Sequence, residues 1–191
     1  RFAIYLSRVA FHIFMKILML LGSPRKKGTT AALAENCVKG AKENNHEVTC
    51  IDCNSLTVHP CIACANCISH GVCVWTDDMK KVEAEATKAD LIVFVTPIYY
   101  IGMTAQLKLV LDRFYSFNKV IMENKPRFAL LTAAANPGEA ICEPTVKQMQ
   151  MIAGYFGGEF VGMVNAVGCN DAGALAGTDF EQKAYELAKS L

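Results

Sequence analysis

The stretch KILMLLGSPRKKGTT, residues 16–30, contains the three local features that decide the fold. Lys16 is followed by a continuous apolar run, which is typical of a strand covered on both faces of a parallel sheet. Gly22 and Pro24 then interrupt the strand, and Gly28 precedes a segment in which apolar residues recur three and four positions apart. A buried strand, a glycine-containing turn and a helix in immediate succession predict a βα unit.

The same alternation continues to the end of the chain. The apolar runs that predict strands are 16–22, 46–52, 90–97, 127–134 and 159–167. The segments that predict helices are 29–43, 78–88, 104–117, 143–156 and 179–191. Five strands alternating with five helices predict an α/β fold, a doubly wound parallel sheet with helices on both faces. Since no repeat or linker divides residues 15–191, one domain is expected there.

Composition narrows the class of protein. The 191 residues are 52% hydrophobic and carry a net charge of +1, without a basic stripe, so neither nucleic acid nor a membrane surface is expected as a partner. Nine cysteines beside buried-strand patterns favour a reducing, cytoplasmic compartment. Residues 1–14 differ in composition, and we interpret them as an N-terminal extension, upstream or artificially added, with Met15 as the functional start.

The turn GSPRKKGTT, residues 22–30, has the properties of a phosphate-binding loop. Backbone N–H groups at the start of a helix and the helix dipole attract an anion, and Ser23, Arg25, Thr29 and Thr30 add polar groups around Gly28. The turn is not a nucleoside-triphosphate loop, which needs a lysine after the second glycine, and it lacks the dinucleotide pattern G-x-G-x-x-G. An ordinary polar turn that caps a helix is the alternative.

Two further loops follow strands at the same sheet edge. TPIYYIG, residues 96–102, places two tyrosines beyond the third predicted strand, and TAAANPGE, residues 132–139, offers small residues beyond the fourth. Because ligands of such sheets bind outside the carboxyl ends of the strands, the three loops together predict a site for a planar ring that carries one phosphate. The alternative is that the tyrosines only cover the core.

The segment CIACANCISHGVC, residues 61–73, has the spacing C-x2-C-x2-C-x5-C within a loop expected over residues 60–76. Three cysteines at this interval converge on iron in ferredoxin-type sequences, and a fourth can complete a 4Fe–4S site. Zinc is an alternative, although it prefers two separated cysteine pairs, and so is a redox-active or empty cysteine loop. Disulfides are disfavoured in a reducing compartment.

Four motifs, in order, resemble the NAD(P)H-dependent FMN reductases of the flavodoxin-like fold. They are GSPRKKGTT, the cysteine run continuing into CVWTDDM, ADLIVFVTPIYY and LKLVLDR, and within that family the chain is most similar to the iron–sulfur flavoproteins. The resemblance implies the strand order 2-1-3-4-5 and a homodimer or homotetramer. One departure is local, because the family often has Gly-Asn-Thr where this chain has Gly28, Thr29 and Thr30.

The resemblance also assigns site residues. The residues that it implies around the FMN phosphate are Ser23, Arg25, Gly28, Thr29 and Thr30. Those implied near the flavin ring are Pro97, Ile98, Tyr99, Tyr100, Thr132, Ala133, Ala134 and Ala135. The ligands of the 4Fe–4S cluster would be Cys61, Cys64, Cys67 and Cys73.

The expected function is therefore that of an FMN-dependent oxidoreductase or electron-transfer flavoprotein with a 4Fe–4S cluster. NAD(P)H is expected as a co-substrate, and a redox partner protein or a small molecule as the electron acceptor. A cluster-free reductase of quinones, nitro compounds, azo dyes or free flavin is the first alternative. The second is a non-catalytic flavodoxin-like binding module. No catalytic side chain is predicted, because the flavin and the cluster carry the redox chemistry.

Overall fold

A computed structural model of the protein describes residues 14–191, so the extension predicted over residues 1–14 lies outside the described part except for Phe14. Five parallel strands form one sheet in the order β2-β1-β3-β4-β5. Their bounds are β1 Lys16–Leu21, β2 Glu47–Asp52, β3 Leu91–Pro97, β4 Arg127–Ala134 and β5 Phe160–Val167. The predicted doubly wound class and the strand order are confirmed.

The helices cover both faces of this sheet. They are α1 Thr29–Glu43, α2 Asn66–His70, α3 Met79–Ala86, α4 Ala105–Arg113, α5 Asn118–Asn124, α6 Glu143–Tyr155 and α7 Phe180–Lys189. One hydrophobic core lies between the sheet and α3, α4, α5 and α6, and the other lies between the sheet and α1 and α7. Burial on both faces explains why β3 has six consecutive buried residues.

The end of β1 packs closely against the start of α4. A Cβ atom added to Gly22 would lie 2.7 Å from the Cβ of Leu107 and 2.8 Å from the Oγ1 of Thr104, so only glycine fits there. The Oγ1 of Thr104 donates to the carbonyl of Gly22 at 2.7 Å, and the backbone N–H of Thr104 donates to Thr96 Oγ1 at 3.0 Å. These contacts fix the first predicted ligand loop against the loop that follows β3.

The helix predicted over residues 104–117 is interrupted, and the structure corrects this prediction. α4 ends at Arg113, a 3-10 turn covers Phe114–Phe117, and α5 continues from Asn118. The turn places both of its phenylalanines in the core with their ring centroids 4.9 Å apart. At the end of α4 the side chain of Arg113 contacts the cysteine segment, which helical periodicity alone does not reveal.

One other local prediction is revised, because α2 lies inside the cysteine segment, where only a loop was expected. Cys50 is exposed on β2. The part of the chain that the structure describes contains no helix with both the length and the apolar character needed to cross a bilayer.

Candidate functional site

A cavity of about 210 Å³ lies at the carboxyl edge of the sheet. Its lining residues are Ser23, Arg25, Gly28, Thr29, Thr30, Pro97, Ile98, Tyr99, Ala133, Ala135, Cys169 and Asn170. Ten of the thirteen residues predicted for FMN are therefore brought together in one place. The fold achieves this because all five parallel strands end at the same edge.

The beginning of α1 forms the polar end of this cavity. Gly28 is the N-cap residue in an extended conformation, and within residues 14–191 no side chain donates or accepts a capping hydrogen bond there. The first turn carries no acidic residue, while Thr29 and Thr30 are buried in it. Unpaired N–H groups, hydroxyls and the positive end of the helix dipole make this end of the cavity suited to a phosphate.

The loop after β5 also contributes to the cavity, and the sequence analysis missed it. Arg25 Nη1 donates to the carbonyl of Asn170 at 3.1 Å, and Thr29 Oγ1 donates to the carbonyl of Cys169 at 3.4 Å. A topological signal was nevertheless present, since residues 168–170 follow a predicted strand at the same edge.

Three predicted flavin-ring residues do not line this cavity. Side chains alternate across a strand, so Ala133 faces the cavity while Thr132 and Ala134 point to the opposite face. Thr132 Oγ1 instead donates to Asn165 Oδ1 at 2.7 Å. Tyr100 is fully exposed at the tip of the loop after β3.

That loop tip is a strained turn. Tyr99 and Gly102 exchange backbone hydrogen bonds of 2.9 and 3.1 Å, and between them Tyr100 and Ile101 have φ angles of 47° and 68°. Left-handed backbone at two successive residues is that of a type I′ turn, which favours Asn-Gly. A bulky or β-branched residue in this conformation costs roughly 1–2 kcal/mol. Because strained, exposed side chains cluster at ligand sites, this turn is a candidate contact for the planar ring.

We therefore expect the double variant Tyr100→Asn, Ile101→Gly to be more stable than the wild type. The gain in the free energy of unfolding should be about 1–3 kcal/mol, because both residues then fit the turn without strain. Urea denaturation of the cofactor-free protein would measure it. A lower free energy of unfolding would show that the two apolar side chains stabilise the fold more than their backbone strain opposes it.

The cysteine segment lines a second cavity of about 450 Å³. All four predicted ligands, Cys61, Cys64, Cys67 and Cys73, are on its wall. The other lining residues are Ile62, Ala63, Ala65, Ile68, Val74, Trp75, Asp112, Arg113, Tyr115 and Ser116. Among residues 14–191, no three His, Cys, Asp or Glu side chains are arranged to hold a metal ion together. The four thiols thus share a cavity without converging on one point.

The backbone between these cysteines has an unusual conformation. Ala63 and Ala65, which flank Cys64, have positive φ angles of 53° and 60°. Alternation of left-handed residues with their neighbours turns successive N–H groups to one side, and such concave arrangements bind anions, including those of iron–sulfur sites. The backbone conformation around Cys64 and the four thiols are therefore both compatible with an anionic iron–sulfur group.

One buried ion pair holds the cysteine segment onto the fold. The side chains of Arg113 and Asp77 are 2% and 3% exposed, and Arg113 Nη1 lies 2.7 Å from Asp77 Oδ2. Asp77 also accepts the backbone N–H of His59 at 2.9 Å, and the His59 ring stacks on Trp75 with centroids 4.4 Å apart. Trp75 Nε1 donates to the carbonyl of Pro60 at 3.1 Å. The two ends of the segment are thereby joined.

The ion pair strongly favours the charged form of Asp77. Burial by itself raises the pKa of this carboxyl, but hydrogen bonds from Arg113 and from the backbone N–H groups of His59 and Met79 outweigh it. The net result is a pKa far below the usual range of an aspartate. The helix predicted over residues 78–88 begins one residue later, because Asp78 is the N-cap of α3.

Replacing Arg113 with methionine should lower the free energy of unfolding at pH 7 by about 3–5 kcal/mol, because Asp77 is left buried without its cation. The depressed pKa of Asp77 stabilises the wild type above about pH 4, the unfolded-state value, and this stabilisation is lost as the pH falls toward the folded-state value. The difference in the free energy of unfolding between the wild type and the variant should therefore become smaller below about pH 4. Urea denaturation at several pH values measures it.

The control for this variant is Lys108→Met on the same helix. Lys108 forms an exposed pair with Asp112 at 2.5 Å, so its loss should change the free energy of unfolding by at most about 1 kcal/mol. Equal losses in the two variants would contradict the role assigned to the buried pair.

Comparison with known proteins identifies relatives of this chain. Residues 15–168 match the family described as NADPH-dependent FMN reductase. An iron–sulfur flavoprotein of Archaeoglobus fulgidus is 32% identical over 99 residues, which are 52% of this chain and 45% of that protein. One from Methanocaldococcus jannaschii is 33% identical over 99 residues, with 52% and 51% covered. The aligned part thus spans about half the length of these curated relatives.

Other relatives are covered more fully. A Bacillus subtilis protein named as an NAD(P)H-dependent FMN-containing oxidoreductase is 27% identical over 158 residues, 78% of this chain and 83% of that protein. The solved structure of an NAD(P)H:quinone oxidoreductase from Methanothermobacter marburgensis superposes with a TM-score of 0.72 at 18% identity, covering 93% of this chain and 97% of that one. At this identity the superposition shows a shared fold. The family match over residues 15–168 goes further: the chain belongs to the NADPH-dependent FMN reductase family.

Proposed function

We propose that the protein is an FMN-dependent oxidoreductase that transfers electrons between FMN and a 4Fe–4S cluster. The observation that carries the proposal is the 450 Å³ cavity whose wall contains all four cysteines of the C-x2-C-x2-C-x5-C segment. The family match supports the use of FMN, and the names of the archaeal relatives support the presence of an iron–sulfur cluster.

The flavin nucleotide fits the carboxyl-edge cavity in part. That cavity measures about 210 Å³, below the range of roughly 300–1,000 Å³ typical of whole drug-sized ligands. We infer that it holds the phosphate against Ser23, Arg25 and the start of α1. The ring would then lie outside, over Pro97–Tyr100, where the strained turn exposes its side chains.

The cluster would be held by Cys61, Cys64, Cys67 and Cys73. Four thiolates are the usual ligand set of a 4Fe–4S cluster, and the left-handed residues around Cys64 give the loop its concave backbone. When bound, the flavin supplies hydride and electron chemistry and the cluster supplies one-electron transfer. The protein's own contribution is to bind the two groups and orient them.

We also propose a homodimer or homotetramer in a reducing, cytoplasmic compartment. A groove of about 830 Å³ beside α4 and α6 exposes the apolar side chains of Tyr115, Met151 and Tyr155, which a second copy of the chain would cover. All nine cysteines, which lie within residues 14–191, are free thiols, as a reducing compartment requires. NAD(P)H would be the co-substrate, and a protein or a small molecule the acceptor.

A cluster-free NAD(P)H-dependent reductase is the second candidate. It is favoured by the separation of the four thiols, which line their cavity without forming a metal-binding arrangement within the described residues. The name of the B. subtilis relative, which is covered over most of its length, also fits it. In this candidate the cysteine segment only shapes one wall of a cavity.

The deciding experiment is cofactor analysis of protein purified without oxygen. The proposal predicts one FMN per chain together with about four iron and four sulfide ions. FMN without iron and sulfide, combined with direct NAD(P)H oxidation, would select the second candidate. Absence of both FMN and reductase activity would refute both and leave a non-catalytic module.

A further inference from the structure

The guanidinium group of Arg113 places a positive charge on the wall of the cysteine cavity. Its side chain is almost fully buried at the end of α4, and its Nη2 lies 3.2 Å from the Sγ of Cys73. Of the cavity-lining residues in the described part of the chain, Arg113 alone is positively charged. A guanidinium N–H is therefore aimed at one of the four sulfurs.

The same guanidinium holds both ends of the cysteine segment. Nη1 donates to the carbonyl of His59 and to Asp77 Oδ2, each at 2.7 Å. His59 precedes Cys61 in the chain and Asp77 follows Cys73, so one side chain of α4 fixes the segment on either side of its cysteines. The planar fork of arginine suits several simultaneous hydrogen bonds of this kind.

We propose that Arg113 is a positioning residue that fixes the cysteine segment and sets the reduction potential of its cluster. This inference rests on the proposed function. Reduction adds one negative charge to an already anionic cluster, so a nearby cation and a hydrogen bond to a ligand sulfur stabilise the reduced form more than the oxidised form. Arg113 thus raises the potential, and the opposite charge of Asp77 limits the increase.

The test is a reductive titration of the full chain, loaded with FMN, iron and sulfide without oxygen and followed by electron paramagnetic resonance at fixed pH. We expect Arg113→Met to shift the midpoint potential of the cluster to a more negative value. Asp77→Asn, which leaves the guanidinium charge uncompensated, should shift it to a more positive value. Lys119→Met, which removes an exposed charge from α5 and whose partner Glu123 does not line the cysteine cavity, should leave it unchanged.

Opposite shifts distinguish this role from a merely structural one, because loosening the segment would move both variants in one direction. Shifts of equal sign, or a potential unchanged in Arg113→Met, overturn the inference. If Arg113→Met retains no cluster, the sign of the potential shift in Asp77→Asn tests the inference instead. Arg113→Lys then serves as the variant at position 113 that keeps the positive charge. A wild type without iron and sulfide overturns the cluster proposal and the role of Arg113 together, whereas a wild-type cluster with an unresponsive potential overturns the role of Arg113 alone.

Discussion

The double variant Ser23→Ala, Thr29→Val should bind FMN about 10²- to 10⁴-fold more weakly than the wild type. Ser23→Ala removes a hydroxyl from the loop after β1, and Thr29→Val removes one from the first turn of α1; both residues line the carboxyl-edge cavity. A hydrogen bond to a charged group contributes roughly 1.5–3 kcal/mol, so two of them correspond to this loss of affinity. Quenching of flavin fluorescence on titration of the cofactor-free protein measures the dissociation constant.

A matched control variant has the same two types of substitution, serine to alanine and threonine to valine, at positions outside the cavity. In Ser190→Ala, Thr145→Val, the serine lies beyond α7 and the threonine is buried in α6, and neither lines the carboxyl-edge cavity. Its affinity for FMN should equal that of the wild type. Wild-type affinity for FMN in the site variant, or an equal loss of affinity in the control, would contradict the assignment of the phosphate to this cavity.

The second large effect is expected at the cysteine segment. Cys64→Ser should reduce the iron content from about four ions per chain to nearly none, since the cluster depends on four thiolate ligands. FMN content should not change, because Cys64 lines the 450 Å³ cavity and not the carboxyl-edge cavity proposed for FMN. Iron and acid-labile sulfide analysis, together with the flavin absorbance, measures both quantities on one sample.

Cys50→Ser is the control for this variant. Cys50 is an exposed thiol on β2 and lines neither cavity, so its replacement should leave the iron content intact. Full iron content in Cys64→Ser would show that this thiol is not a ligand. NAD(P)H oxidation at the wild-type rate by a Cys64→Ser protein would in addition favour the cluster-free reductase.

The fold could be predicted to within a few residues because its signals are local. Buried parallel strands are nearly continuous apolar runs, and the observed bounds of β3 and β4, Leu91–Pro97 and Arg127–Ala134, follow those runs closely. The interruption within residues 104–117 has no counterpart in the apolar spacing, which is the same whether a helix continues or breaks. α4 ends at Arg113, and Phe114 and Phe117 of the 3-10 turn that follows are both buried in the core.

Most of the lining of the carboxyl-edge cavity was predictable for a topological reason. Parallel strands end at one edge, so the loops after them meet whatever their separation in sequence, and ten predicted residues line one cavity. The exceptions at Thr132 and Ala134 arise because small residues in succession do not show which face each side chain takes. The loop at Cys169 and Asn170 was missed because it carries no distinctive composition.

The sequence by itself determined the sheet, the helices α1, α3, α6 and α7, the family and the cysteine spacing, because periodicity, motifs and spacing are properties of neighbouring residues. Only the tertiary structure decided that Arg113 joins Asp77, 36 residues away, and His59, 54 residues away. A lone arginine within a helical pattern has the same local signature whether it is solvated or buried. Its role depends on the carboxylate and the sulfur beside it, and these groups are brought together only when the chain folds.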